Sequence, residues 1–156
     1  MVSLDDDFLV FGLWSFSLAH YAKPGVKAAC LALQDEHGLD VNVALACLWH
    51  ERRGAPPLSR EDITALLAAV AAAQRRVWAI RPLRREAKAV PGGDALYRAL
   101  KRAELLAENL LQRGLQHALE PWPPGPVGDG KASLRAYATH EGATLPPEHV
   151  EAFALV

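Results

Sequence analysis

The sequence predicts an all-α fold, namely a single-domain bundle of about five main helices with a Pro/Gly-rich C-terminal tail. β-Branched residues are sparse, alanine and leucine dominate, and apolar residues recur at helical spacing. At 156 residues, with 51% hydrophobic and 22% charged residues, the chain can bury one core and is too apolar for a disordered protein. We expect the bundle over residues 1–119, and over residues 120–156 a linker and short helical tail that packs on the bundle or extends from it.

Local signals place the first three helices. Helix one is expected over residues 7–21, with a run of three aspartates at the positive end of its dipole. Because this helix is apolar nearly all round, it should be central. Pro24 fits the first position of helix two, and Gly38 fits the left-handed residue that ends it. Asp40 is a good N-cap for helix three, which should span residues 41–53.

The clearest local signal in the chain precedes helix four. Ser59 and Asp62 form a variant of the capping box. Leu58 and Ile63 occupy the two positions of a hydrophobic staple around it. Helix four is therefore expected over residues 60–89.

A fifth helix is expected after the sequence VPGG, with Asp94 as its cap. Beyond residue 119 the run EPWPPGPVGDGK breaks helices, and short helices are expected over residues 132–139 and 146–154. A stripe of apolar residues at helical spacing on helix five should face the core. This stripe consists of Leu96, Leu100, Ala103, Ala107, Leu110 and Leu111.

Composition bears on location. The formal net charge of −1 does not require a globally electrostatic partner such as bulk nucleic acid. Near the N-terminus, aspartates stand where a secretory signal needs basic residues, and no apolar run approaches the roughly 20 residues that a bilayer requires. Cys30 and Cys47 lie on apolar helical faces without a CxxC motif, which favours reduced, buried thiols. We expect a cytoplasmic protein with no membrane association.

The stretch LALQDEHGLDVNVALACLWHE, residues 31–51, holds the first candidate site. Polar residues surround the predicted junction between helices two and three. They either form a ligand site, with carboxylates paired for acid and base chemistry, or cap and join two buried helices. The residues of this junction are Gln34, Asp35, Asp40 and Asn42.

The same stretch offers a metal interpretation through His37, Asp40 and His50. Helical metal motifs place their ligands three or four residues apart, and no such spacing occurs within one helix here. Asp40 and His50 are ten residues apart, which is roughly 15 Å along a helix and too far for one ion to bridge. We therefore expect no metal site, and no other cofactor.

The strongest charge feature is basic. Residues 75–102 contain nine basic side chains against two acidic ones. Four of the basic residues share one side of helix four, beside Trp78. Three interpretations stand, namely ion pairs with Glu104 and Glu108 across a helical hairpin, an external anion site, or a solvated face. The residues of this basic stripe are Arg81, Arg84, Arg85 and Lys88.

Three segments carry a resemblance, LWSFSLAHYAKPGVKAACLALQDEHGLDVNVALACLWH, RVWAIRPLRREAKAV and KRAELLAENLLQ. Over roughly residues 8–116, the chain resembles a family of uncharacterised proteobacterial helical proteins of about this length, a domain of unknown function. The resemblance implies no particular activity. Its pattern includes Gln34, Asp35, Asp40, Asn42, Arg84 and Glu108, and does not include His20, His37 or His50.

The function that the sequence favours is that of a non-catalytic regulatory or adaptor protein whose basic stripe binds an acidic protein partner. An alternative is a small-ligand-binding protein or an enzyme with a polar pocket between helices two, three and four. In that pocket a carboxylate of the junction should approach Arg85 or His50, and Trp14, Trp49 and Trp78 should line it. A third possibility is RNA or ribosome binding through the basic stripe.

Overall fold

Helices make up all the regular structure in the part of the chain that the computed structural model describes, residues 12–123 and 125–155. No strand occurs among those residues, which confirms the all-α prediction. Five helices form the bundle, and two shorter ones follow the Pro/Gly-rich run. In chain order they are α1 (Leu13–Tyr21), α2 (Val26–His37), α3 (Val41–Arg52), α4 (Arg60–Ala89), α5 (Asp94–Leu119), α6 (Lys131–His140) and α7 (Pro147–Ala154).

Left-handed glycines lie at both ends of α2. Gly38, with φ of +66°, ends the helix as predicted, and Asp40 caps α3. Gly25, with φ of +81°, immediately precedes α2, so Pro24 belongs to the turn before the helix and not to its first position. The prediction that Pro24 begins the helix was wrong. The predicted beginning of helix one, residues 5–11, lies outside the described residues.

The start of α4 follows the sequence prediction. The Asp62 N–H donates to Ser59 Oγ at 3.1 Å, and the Ser59 N–H donates to Asp62 Oδ2 at 2.8 Å. Leu58 and Ile63, the two residues of the hydrophobic staple, are both buried. The capping box therefore fixes the first turn of a helix that continues without a break to Ala89.

The tip of the α4–α5 hairpin projects from the bundle, since only two residues between 78 and 106 are buried. Leu96 lies at this tip and Leu110 faces away from the core, so both are more than half exposed and the predicted stripe was wrong there. The cap prediction was also wrong, because Gly93 is the N-cap and the Asp94 side chain makes no capping hydrogen bond. The core-facing residues of α5 are Ala107, Leu111, Leu115 and Leu119.

The central helix is α3. Every residue of α3 from Asn42 to Glu51 is buried, including the polar side chain of His50. In contrast, Leu18 of α1 is 59% exposed, so α1 lies at the edge of the bundle and the prediction of a central first helix was wrong. A helix that is buried all round needs partners for its polar groups as well as for its apolar ones.

The residues that end α3 hold the C-terminal part of the chain through its backbone. We call residues 50–53, His50-Glu51-Arg52-Arg53, the clasp. Glu51 Oε2 accepts a hydrogen bond from the Ser133 N–H at 2.8 Å. Arg52 donates to a carbonyl of α7, and Arg53 donates to carbonyls at and just after the end of α5. In the structure the described part of the tail is thus packed on the bundle.

Helices α6 and α7 complete the core. The side chains of Tyr137 in α6 and Phe153 in α7 are fully buried. His20 of α1 bonds the Phe153 carbonyl through Nε2 at 2.6 Å, so α7 is held from two sides of the bundle.

Within the described ranges, α4 is one helix that is long and apolar enough to cross a membrane by length and composition alone. Its most apolar window has a hydropathy of 1.3, and 28% of that window is buried. Alanines supply much of this apolarity, and the helix packs along α5. A helix of a packed hairpin can meet the same criteria, so this finding does not distinguish a membrane helix from a helix of the bundle. The cytoplasmic location therefore stays a prediction.

Candidate functional site

A half-open cavity of about 340 Å³ lies among the five bundle helices. Its lining combines apolar side chains, such as Leu18, Leu31 and Leu105, with arginines, glutamates and side-chain amides. Small-ligand sites usually have this mixed character and volumes of about 300–1,000 Å³. We call it the α1–α5 cavity.

A network of buried polar side chains lies next to this cavity. Asp40 Oδ1 accepts from the Asn42 N–H at 2.9 Å, and Asp40 Oδ2 accepts from Gln74 Nε2 at 3.1 Å. Asn42 Oδ1 in turn accepts from Gln112 Nε2 at 3.0 Å. The network therefore joins the start of α3 to both α4 and α5, and it presents Asn42 and Gln112 to the cavity.

Two buried polar atoms beside the cavity, Ser17 Oγ and Gln112 Oε1, have no hydrogen-bond partner within the described part of the chain. Both residues line the cavity, and they are only 5% and 3% exposed. Such atoms are uncommon in folded proteins, because losing water without gaining a partner costs about 1–3 kcal/mol. A polar group bound in the cavity would supply the missing partners.

Two arginines of the basic stripe are held by glutamates of α5. Arg84 Nε lies 2.5 Å from Glu104 Oε2, and Arg81 Nη2 lies 3.1 Å from Glu108 Oε1. The hydrogen bond to Glu104 raises the pKa of Arg84. Burial raises the pKa of Glu108, although the positive charge of Arg81 acts in the opposite direction. The interhelical ion pairs considered from the sequence are therefore present for Arg81 and Arg84.

The remaining two members of the basic stripe differ from those. Arg85 and Lys88 are exposed, and neither side chain has an ion pair or hydrogen bond with any other residue that the structure describes. Arg85 lines the α1–α5 cavity, whereas Lys88 does not. Since Arg81 and Arg84 face Glu104 and Glu108, Arg85 leaves the cavity with one positive charge in excess.

Residues 12–115 match the model of a protein family of unknown function, DUF2390. The chain belongs to this family. The resemblance to a domain of unknown function is thereby confirmed, while a proteobacterial source stays a prediction. The DUF2390 segment contains every residue that lines the α1–α5 cavity, and α6 and α7 lie beyond it. Comparisons with curated proteins and with solved structures gave no significant match.

The α1–α5 cavity brings together only part of the predicted junction. Gln34 and Asn42 line it, whereas Asp35 is exposed and Asp40 is engaged by Asn42 and Gln74. Neither Asp35 nor Asp40 forms an ion pair with a basic side chain of the described residues. The predicted approach of a junction carboxylate to Arg85 or His50 is therefore not observed.

The three tryptophans do not line one pocket. Trp14 lines the α1–α5 cavity. Trp49 is buried, and the Arg53 guanidinium lies 4.8 Å from the centroid of its ring. Trp78 is 51% exposed on the outside of α4. The predicted aromatic lining thus holds for Trp14 alone, because Trp49 packs with the clasp and Trp78 packs with no core.

The histidines and the aspartate of the first metal interpretation are also apart. His50 Nε2 donates to the Pro56 carbonyl at 2.9 Å, which leaves this nitrogen without a lone pair for a metal. Burial lowers the pKa of His50 against the effect of that hydrogen bond, so the ring is held neutral. Asp40 is used by Asn42 and Gln74 at the other end of α3.

Sequence reasoning missed Ser17 and Gln112. One signal for Gln112 exists, since it directly follows the core residue Leu111 and lies one turn before Gln116 on the same face. Polar residues beside a core stripe indicate an internal polar network. Cys30, which also lines the cavity, is not a reactive group, because burial raises the pKa of its thiol to about 11.

Proposed function

We propose that this DUF2390 protein binds a small organic anion in the α1–α5 cavity. The observation that carries the proposal is the pair of buried atoms without partners among the described residues, Ser17 Oγ and Gln112 Oε1, which belong to two residues that line the cavity. A ligand that reaches these atoms after small side-chain rotations would give them the hydrogen-bond partners that no described residue supplies.

The lining specifies the chemistry of the ligand. Gln112 Oε1 can only accept, so the ligand needs an N–H or O–H donor there, whereas the Ser17 hydroxyl can bond either kind of group. Arg85 is the unpaired charge of the lining and favours a carboxylate or similar anion. Leu31 and Leu105, both about half exposed, favour an apolar part at the mouth.

The proposal is for binding without catalysis. The thiol of Cys30 stays protonated at neutral pH, since burial raises its pKa to about 11. Glu104 and Glu108 are engaged by Arg81 and Arg84, which leaves them poorly placed to accept a proton from a ligand. These features support a sensor, carrier or regulatory role over an enzymatic one.

The test uses Arg85→Gln with Lys88→Gln as its matched control, because both residues are exposed on α4 and only Arg85 lines the cavity. The full-length protein is screened by thermal shift against small carboxylic acids that carry N–H or O–H donors. The best binder is then measured by calorimetry. We expect Arg85→Gln to weaken binding about 10-fold or more, as for loss of a charged hydrogen bond, and Lys88→Gln to leave it unchanged.

Two results would contradict the proposal. The first is a screen in which no acid of this class shifts the unfolding temperature of the native protein. The second is a binder that both variants weaken equally, since that would place it on the general basic surface. Mass spectrometry of the protein as purified provides a parallel check, because a retained anion released on denaturation would identify the class directly.

We also propose, as a second candidate, an adaptor role in which the hairpin tip binds an acidic protein partner. The observation that favours it is a set of exposed basic side chains at the tip without ion pairs among the described residues. Exposed Leu105 and Leu106 lie beside them and provide apolar contact area. The basic residues are Arg85, Lys88, Arg98, Lys101 and Arg102.

The second candidate is tested with the double variant Arg98→Glu, Lys101→Glu, whose sites lie outside the α1–α5 cavity. The probes are polyglutamate and single-stranded polyuridine at matched ionic strength. Tighter binding of polyglutamate that the variant abolishes supports the acidic partner. Tighter binding of polyuridine with a steep salt dependence replaces it with RNA. Binding of neither probe removes the hairpin tip as an interface.

We further propose a cytoplasmic location. The two cysteines, Cys30 and Cys47, are both free and buried, which is usual in a reducing compartment.

A further inference from the structure

A second cluster of ligating side chains lies where α2 ends against α7. His37 is the last residue of α2, and His149 lies in the first turn of α7. His37 Nε2 and His149 Nδ1 are 3.0 Å apart. Glu36 Oε2 lies 4.0 Å from His37 Nε2 and 3.9 Å from His149 Nε2. One ligand atom from each of the three residues falls within 4.8 Å of the others.

The geometry points to a divalent transition-metal site, of the kind that takes Zn²⁺, formed by Glu36, His37 and His149. Two imidazoles and one carboxylate are a donor set that Zn²⁺ uses in proteins, with a fourth position left for water or another ligand. The site goes beyond the proposed ligand function, since none of its three residues lines the α1–α5 cavity.

The distances suit a metal after small side-chain movements. Bonds of about 2.0–2.1 Å in a tetrahedral site place two nitrogens about 3.3 Å apart, so the His37–His149 pair needs to open by only a few tenths of an ångström. Glu36 must approach by more, and its side chain is free to rotate because it is 61% exposed. The two imidazoles are partly buried and are held by helix ends.

Three other histidines of the described residues have different partners. His20 and His50 each bond a backbone carbonyl, and His140 bonds the hydroxyl of Thr64. His37 and His149 instead face each other, with a carboxylate beside both. An imidazole pair on its own forms a single hydrogen bond that nearby water competes for, whereas a metal ion uses both rings and the carboxylate together.

The site joins a part of the chain inside the DUF2390 segment to a part beyond it. Glu36 and His37 belong to the DUF2390 segment, and His149 lies 112 residues from His37, beyond that segment. A bound ion therefore links α7 to the bundle and makes the docking of α7 depend on metal. Sequence reasoning rejected a metal because it searched spacings around His37 and Asp40, and no spacing rule joins residues 112 positions apart.

The test is calorimetric titration of the metal-free, full-length protein with Zn²⁺, together with Co²⁺ titration followed by visible absorption. We expect one ion per chain and the intense absorption of low-coordinate Co²⁺. Zn²⁺ at about 100 times its Kd should raise the midpoint of thermal unfolding by about 5–10 °C. His149→Ala should abolish the binding, the absorption and the thermal shift together.

The matched control is His140→Ala, because His140 is also partly buried and has a neighbouring carboxylate, Glu141, at 3.9 Å, but belongs to no such cluster. It should bind Zn²⁺ like the native protein. If His149→Ala fails to fold, Glu36→Gln replaces it, since Glu36 is exposed and should weaken binding at least 10-fold with the fold intact. Native-like Zn²⁺ binding by a folded His149→Ala or Glu36→Gln variant, or no binding by the native protein, overturns the proposal.

Discussion

Helix α3 carries polar side chains at both ends, and the two ends use them differently. At its start, Asp40 and Asn42 bond mainly to side chains, those of Gln74 and Gln112. At its end, Glu51, Arg52 and Arg53 of the clasp bond to the backbone of residues more than 60 positions away. The first arrangement is a network beside a cavity, and the second is an attachment of one chain segment to another.

The difference lies in where unsatisfied atoms remain. Side-chain amides have more hydrogen-bonding groups than the network at the start of α3 uses, and Gln112 Oε1 is left over at the cavity. The clasp also leaves buried atoms without partners among the described residues, His50 Nδ1 and Arg53 Nε, but neither residue lines the α1–α5 cavity. An unpartnered polar atom favours a binding site only where its residue lines a cavity.

The largest effect is expected at the clasp. Glu51→Ala removes the acceptor of the Ser133 N–H and leaves this buried donor unpaired. We expect a loss of about 3 kcal/mol in the free energy of unfolding, measured by urea denaturation. Glu86→Ala on the exposed face of α4 is the control and should change stability by less than about 0.5 kcal/mol. Equal stabilities of the two variants would show that the clasp does not hold the tail.

The polar network at the other end of α3 should be less costly to break. Asp40→Ala removes the N-cap of α3 and the acceptor for Gln74 Nε2. We expect a loss of about 2 kcal/mol in the free energy of unfolding. Asp35→Ala, in the same junction but exposed, should be near neutral. A large effect at Asp35 would mean that the junction uses a contact other than those described.

The pH dependence of stability should follow the buried histidines. Burial lowers the pKa of His20 and of His50 below the ordinary value of 6.5. Their contribution to stability is therefore present above pH 6.5 and is lost as pH falls through the lowered values, because protonation favours the unfolded chain. We expect the midpoint of thermal unfolding to fall on acidification from neutral pH.

Glu108 acts with the opposite sign. Burial raises its pKa above the ordinary 4.5, so its contribution to stability is greatest below that value and is lost as pH rises through the raised one. His50→Gln separates the two effects, since it should flatten the acid-side decline of the unfolding midpoint and leave the contribution of Glu108 unchanged. An unchanged decline in this variant would rule out His50 as a source.

The smallest effect on stability is expected at the cavity. Ser17→Ala removes a buried hydroxyl without a partner among the described residues, so the free energy of unfolding should stay the same or rise by up to about 1 kcal/mol. Ligand affinity should nevertheless fall. The control is Ser133→Ala, whose Oγ accepts from the Leu58 N–H at 2.9 Å and whose loss should destabilise the protein by about 1–2 kcal/mol. Equal destabilisation by both variants would mean that Ser17 Oγ is already bonded.

Local features of the fold were predictable from the sequence. The capping box at Ser59, the left-handed Gly38 and the Asp40 cap each depend on residues within a few positions. The pairing of Arg81 and Arg84 with α5 was one of the alternatives that the sequence offered. It could be predicted because a short hairpin connection restricts which helix faces meet. Such features are encoded by short-range geometry, and the sequence displays them directly.

The candidate sites were less predictable because their partners are distant in the chain. Gln112 meets Asn42 across 70 residues, and His149 meets His37 across 112. Their meeting depends on how α5 and α7 pack, and no local pattern specifies that packing. The tryptophans show the same limit, since the sequence predicted that Trp14, Trp49 and Trp78 line one pocket and only Trp14 lines the cavity.

The long reach of the clasp has a consequence for the order of folding. The α4–α5 hairpin closes through a four-residue connection, so its contacts form at little loop-closure entropy. The bonds from Arg53 to Leu119 and from Arg52 to Ala154 span 66 and 102 residues. We expect the hairpin to form early and the bonds of the clasp to form late. Helix α3 should then be the last helix to become fully buried. During synthesis, we expect the DUF2390 segment to leave the ribosome with one side of its central helix uncovered, until α6 arrives to pack on it.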